Sequence, residues 1–223
     1  VVDGHLSNSC YLRAVDKCFE TLNKKHEAKF GEKLDITSYD HIMFHQPYQK
    51  LVQKSYSRYL WNQHKLTGNF KQLDEFLSLS DEETYTSRDL QKAADAIGKD
   101  GYLEKVAPST HIGCNVGNTY TASLYASLLS LVNHHGANLD GQKAMLFSYG
   151  SGLAATMFEA SFSNDNDGLT KLKEMAGVDE LLSSRAVISP EEYTAALDRR
   201  RGDYGQFPVE VRAPLASHMR KGA

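Results

Sequence analysis

Apolar positions along the chain recur in two rhythms, and the order in which those rhythms alternate predicts the fold. The first is helical: Tyr11, Val15, Cys18 and Leu22 fall three or four residues apart and share one face, with Ser7 or Asn8 placed to cap the start and Gly31 to close the far end. His41-Ile42-Met43-Phe44 breaks that rhythm as a short apolar run with a branched residue, the pattern of a strand buried on both faces. Pro47 then stands where the first turn of a helix tolerates proline. In that helix Leu51, Val52, Ser55, Tyr56, Tyr59 and Leu60 point inward, while Lys50, Lys54 and Arg58 recur as a basic stripe on another face. A strand is thus expected to feed a helix through His45-Gln46.

Residues 65–85 are polar and without period, so they are predicted to be irregular, and Ser87 to Ile97 reads as a surface helix. A loop over Gly113-Cys114-Asn115-Val116-Gly117-Asn118 leads into a second strong helix bearing Leu124, Leu128, Leu131 and Val132, stopped by Gly136. Lys143 to Phe147 is predicted as a buried strand that runs into Ser148-Tyr149-Gly150-Ser151-Gly152, and Leu153 to Phe162 as a paired strand or a tightly packed segment. Ser189-Pro190-Glu191-Glu192 is a capping box that opens a late helix. Internal repeats and low-complexity tracts are absent from the sequence. Strands alternating with helices place the chain in the α/β class.

Composition narrows the function classes. With 223 residues, 41% of them hydrophobic and 24% charged, the chain is long enough to bury a large core as one domain. A net charge of −3 argues against wrapping nucleic acid, so any anion site is local. No apolar run approaches the roughly 20 residues that cross a bilayer, so no membrane partner is expected. The start, Val1-Val2-Asp3-Gly4-His5, lacks both an initiator Met and the layout of a secretory signal, which suggests a beginning inside a longer protein. Cys10, Cys18 and Cys114 are odd in number and fit no disulfide or metal spacing, so a reducing, cytoplasmic setting is the simplest reading. Cys114 is the one candidate reactive thiol, but no base stands beside it in sequence and ordinary packing accounts for it.

Motif spacing disposes of several chemistries and leaves one constellation. His41 and His45 are four apart, yet Ile42 stands where a zinc protease needs Glu and the segment reads as strand, so no metal site is expected. Ser151 lacks the flanking glycines of a hydrolase elbow, with Tyr149 and Leu153 in their places. What remains is His45 at a strand end, Asn118 at a loop-to-helix junction and Ser151 in a glycine-rich turn, all places where functional groups project from an α/β scaffold. Each has an ordinary structural explanation as a cap or a packing residue. Taken singly, each is better explained that way.

Three ordered segments carry a resemblance: Phe44-His45-Gln46-Pro47-Tyr48-Gln49-Lys50-Leu51-Val52-Gln53-Lys54, then Gly117-Asn118-Thr119-Tyr120-Thr121, then Phe147-Ser148-Tyr149-Gly150-Ser151-Gly152-Leu153-Ala154-Ala155-Thr156. In this order they resemble the hydroxymethylglutaryl-CoA synthase family, as does the opening Val1 to Ser7 followed by Cys10-Tyr11-Leu12. The resemblance implies the carboxyl-terminal half of a thiolase-like, layered α-β-α-β-α fold, here residues 1–204. It also implies condensation of acetyl-CoA with acetoacetyl-CoA in the mevalonate pathway, with those thioesters as substrates and no further cofactor. By resemblance His45 is catalytic and holds the acetoacetyl thioester, Asn118 and Ser151 hydrogen-bond the acyl groups or the developing oxyanion, and Lys50, Lys54 and Ser7 contact CoA. The nucleophilic Cys and the Glu acid/base of the family belong to the amino-terminal half of the same protein, the expected partner along with a second copy in a homodimer. Residues 205–223 depart from the family's closing Gly-Ser/Thr-aromatic-Tyr-Leu strand and are expected to form an atypical tail open to disorder. Two rivals stand beside this reading: a ketoacyl-synthase-type condensing enzyme, and a non-catalytic CoA-binding module.

Overall fold

The computed structural model of the protein describes residues 3–150 and 152–208, so most of the expected tail, 209–223, lies outside the described residues. Contacts divide the chain after Leu182 into two compact units, and each is described by itself. In the first, β1 (His41–Phe44) lies parallel to β2 (Lys143–Gly150), and β2 returns antiparallel as β3 (Ala154–Ser161). Parallel strands need a crossover between them. Here it holds α2 (Gln49–Thr67), α3 (Asp81–Thr86), α4 (Arg88–Gly101), α5 (His111–Val116) and α6 (Ser123–His135), after the long opening helix α1 (Gly4–Phe30). The unit ends with α7 (Gly168–Ala176) and most of α8 (Val178–Ser183).

Side chains alternate across the sheet, and β1 and the first half of β2 are covered on both faces, whereas β3 is largely exposed. Ile42, Phe44, Met145 and Phe147 pack with α1 and α2, whereas Met43, Ala144 and Leu146 pack with Leu124, Leu131 and Val132 of α6 and Leu169 of α7. That double burial is why these strands read as unbroken apolar runs in the sequence. The first unit is therefore one helix–sheet–helix sandwich, with α4 as an outer layer on α2 through Trp61, Leu73, Leu90 and Ala94. At Gly98 the helices approach so closely that a Cβ would stand 2.5 Å from Leu60 Cδ1.

Squeezed between layers, α2 buries every residue from Ser55 to His64. Its polar members must then find partners inside the protein. Arg58 donates from Nε and Nη2 to the Asp16 carboxylate at 2.8 and 2.5 Å and lies 4.3 Å over the Tyr85 ring, while Asn62 and the Tyr85 hydroxyl donate to the same carboxylate. The basic stripe read from the sequence is thus not one exposed face. It descends from exposed Lys50 through half-buried Lys54 to Arg58, which is locked to α1.

Several boundaries differ from the sequence reading. Asp3, not Ser7 or Asn8, receives a first-turn N–H, that of Leu6 at 3.0 Å, so α1 starts earlier. Pro47 precedes α2 instead of joining it, because Tyr48 is the N-cap. Within 65–85, predicted irregular, α3 forms on a Ser80–Glu83 capping box after a 3-10 turn at Lys71–Phe76. Residues 113–116, predicted as loop, belong to α5, which Gly117 ends at a φ of +87°. In the second unit α9 (Pro190–Asp203) begins on its predicted capping box, with Ser189 and Glu192 each accepting the other's N–H.

Asp16→Ala would strand the buried guanidinium of Arg58 and should lower unfolding stability by about 3–5 kcal/mol. Urea denaturation measures it. A loss below about 1 kcal/mol, the scale of an exposed pair, would show that the pair is not a structural tie.

Candidate active-site cavity

Because β1 and β2 run in the same direction, their carboxyl ends finish at one edge of the sheet. His45 is the last residue held there, donating its N–H to Phe147 O at 2.7 Å. Side chains of flanking helices tie down the peptide groups that follow or precede it. The Tyr11 hydroxyl of α1 donates to His45 O at 2.6 Å, Ser123 of α6 accepts the Gln46 N–H at 2.8 Å, and the Ser127 hydroxyl reaches Phe44 O at 3.4 Å. The turn into α2 is therefore held from both layers.

A cavity of about 840 Å³ opens at this edge. Ser7, His45 and Asn118 all line it, together with Tyr11, Tyr48 and Tyr149. Ser151 lies outside the described residues, but its neighbours Gly150 and Leu153 line the same cavity. Two non-glycine residues of the lining have left-handed backbone, Tyr120 at φ +53° and Leu153 at φ +63°, conformations that cost energy and persist where surrounding structure holds them. Asn118 supports the first by accepting the Tyr120 N–H at 2.8 Å, which leaves its NH2 group as a donor.

The other candidates sit elsewhere. Lys50 lies one residue into α2, where its ammonium donates to Gln53 Oε1 at 3.1 Å and lines a separate cleft of about 290 Å³ with Tyr56, Lys99 and Tyr102. Lys54 is half-buried one turn later and lines neither space. Cys114 is exposed, donates to Gln49 Oε1 at 3.0 Å and borders another cleft, away from His45.

Electrically the described lining is neutral. Burial pushes the His45 imidazole below its ordinary value of 6.5, so it is uncharged at neutral pH. Burial likewise raises the Tyr11 and Tyr149 hydroxyls, which keep their protons. Among the described residues the lining holds neither a carboxylate nor an ammonium group. Such a surface can donate hydrogen bonds to a carbonyl or an oxyanion. Among its described residues it offers no thiol and no carboxylate base. The sequence reading missed the tyrosine walls: Tyr11 was visible as one apolar position of a helical stripe and, like Tyr48 and Tyr149, as a member of a motif.

Comparison with known proteins fits this geometry. Among solved structures, MvaS in complex with 3-hydroxy-3-methylglutaryl coenzyme A superposes with a TM-score of 0.70 at 27% identity, covering 88% of this chain and 44% of that one. The Curacin pathway HMG synthase gives 0.62 at 20% identity and bears on the fold alone. These place the sandwich in the thiolase-like class of folds. The family model for the hydroxymethylglutaryl-coenzyme A synthase C terminal matches residues 1–216. The chain belongs to the hydroxymethylglutaryl-CoA synthase family. It is 39% identical over 202 residues to synthase A of Dictyostelium discoideum and 38% identical over 220 residues to the mitochondrial synthase of Mus musculus. It covers 89% and 92% of itself in those matches but only 41% and 43% of the relatives, so it spans less than half of their length.

Burial depresses the imidazoles of His41, His45, His64 and His135 below 6.5. In the unfolded chain they titrate near 6.5, so below that pH the unfolded state binds more protons and stability falls as pH drops toward the folded values. Urea midpoints measured between about pH 7.5 and about pH 5.5 should decline with falling pH; a flat or rising trend contradicts these burials.

Proposed function

We propose that this chain forms the substrate-holding side of a hydroxymethylglutaryl-CoA synthase active site, and that the reaction joins acetyl-CoA to acetoacetyl-CoA. The observation that carries the reading is the cavity at the paired strand ends, where His45 and Asn118 meet across 840 Å³ of neutral, donor-rich lining. An acetyl group held as a thioester on an upstream Cys loses a methyl proton to an upstream Glu, and the carbanion attacks the ketone of the second substrate. Charge then develops on that ketone oxygen. Neutral donors in a site partly closed to water stabilise such an oxyanion most, and His45, Asn118 and Ser151 are assigned that work.

CoA binding belongs to the same proposal. The amino ends of α1 and α2 both border the cavity, at Ser7 and at Tyr48, and helix starts favour anions. A phosphate tail leaving the cavity over the start of α2 meets Lys50, and beyond it Lys54. No cofactor is required. The amino-terminal half of the protein and a second copy in a homodimer are the proposed partners. Among the described residues no helix is long and apolar enough to cross a membrane. The three free thiols support a reducing compartment, which we take to be the cytoplasm, although the mouse relative is mitochondrial. The family match favours this reading over a ketoacyl-synthase-type enzyme.

In full-length protein His45→Ala should leave acetylation of the upstream Cys intact and slow condensation on the order of 100-fold or more, the usual loss for a removed oxyanion donor. Rapid-quench measurement of the two half-reactions decides it. Equal losses in both steps would refute the assigned role, and a gene with no upstream Cys would favour the CoA-binding module.

A further inference from the structure

A working histidine is usually aimed by a carboxylate or carbonyl that accepts from its second ring nitrogen. His45 has no such partner among the described residues, and burial alone shifts its titration. Its backbone is held instead. The N–H bonds Phe147 O at 2.7 Å, and the carbonyl, which has left the strand ladder, accepts the Tyr11 hydroxyl at 2.6 Å. The Tyr11 ring lies within 25° of parallel to the imidazole at 6.3 Å, and Tyr149 stands 4.9 Å from Tyr11 and 6.4 Å from His45. Tyr11 is itself wedged edge-on against Phe147 at 5.3 Å and is 1% exposed.

We propose that Tyr11 is a positioning residue for the condensation: its hydroxyl pins the His45 peptide where β1 gives way to the turn, and its ring, with Tyr149, sets the direction in which the imidazole faces the cavity. This rests on the reading of His45 as a substrate-holding group. Without the phenol, the buried carbonyl loses its partner and the peptide is free to rotate in search of another. The imidazole moves with it. Small displacements of a reacting group cost rate without costing much binding. A tyrosine that merely fills the core would act on stability alone.

Full-length protein carrying Tyr11→Phe tests this, beside Tyr59→Phe, which removes an equally buried hydroxyl that contacts Met145 Sδ and not His45. Tyr11→Phe should slow condensation on the order of tenfold, keep KM for both thioesters within about twofold and leave acetylation unchanged. The NMR titration of His45, assigned by its absence in His45→Ala, should rise toward the ordinary imidazole value as the loosened ring meets water. That titration reads in any folded preparation, active or not. Tyr59→Phe should lower Tm and leave condensation and the titration alone. Wild-type condensation and titration in Tyr11→Phe, with His45→Ala impaired, would overturn this inference alone. Matching effects of the two Tyr→Phe variants in every readout would overturn it in favour of a core role. Full condensation by His45→Ala would overturn the reading of the site and this inference with it.

Discussion

Parallel pairing of β1 on β2 brings two carboxyl ends, separated in sequence by the whole α2–α6 crossover, to one edge of the sheet. Antiparallel pairing would send His45 and the turn after Gly150 to opposite ends. A slip by one residue would be as damaging, because it would exchange Ile42 and Phe44 with Met43 between the α1–α2 layer and the α6–α7 layer. Burial on both faces is what forbids that slip. The cavity is thus a by-product of strand direction and register before any catalytic residue is considered.

Holding such a site still requires that the helices bordering it do not shift. The amino end of α2 borders the cavity while its middle is buried on all sides, so its polar residues are committed to internal partners. The Asp16 carboxylate collects Arg58, Asn62 and Tyr85, and through them links α1 to α2 and to the α3 segment. α1 carries Asp16 in this network and Tyr11 on the His45 carbonyl. One helix therefore couples the rigidity of the core to the position of the imidazole.

Long, strongly periodic segments were legible in the sequence: the α2 and α6 stripes and the apolar runs of β1 and β2 appear where the pattern puts them. Short elements were not, because α3 and α5 have six residues each, too few to show a period. Arg58 was misread as one step of a surface stripe, since nothing local announces that Asp16 lies opposite it. His45 and Asn118 were legible as site candidates only jointly, through ordered motifs. Tyr11 was hidden for a physical reason: a tyrosine on an apolar face looks like core, and only the tertiary fold reveals what its hydroxyl touches.

The described lining offers donors and lacks a thiol and a carboxylate, while the chain spans less than half of its relatives' length. On the proposed reading the work is divided: this chain grips the second substrate and polarises its ketone, which an acetyl carbanion held elsewhere in the protein attacks. A crystal structure of the full-length protein with a non-hydrolysable acetoacetyl-CoA analogue tests that division most directly. The account predicts the acyl carbonyl in the cavity between the ends of β1 and β2, hydrogen-bonded to His45, with the CoA chain leaving over the start of α2 toward Lys50. An analogue bound with its acyl group away from His45, or in another cleft of the chain, would contradict it.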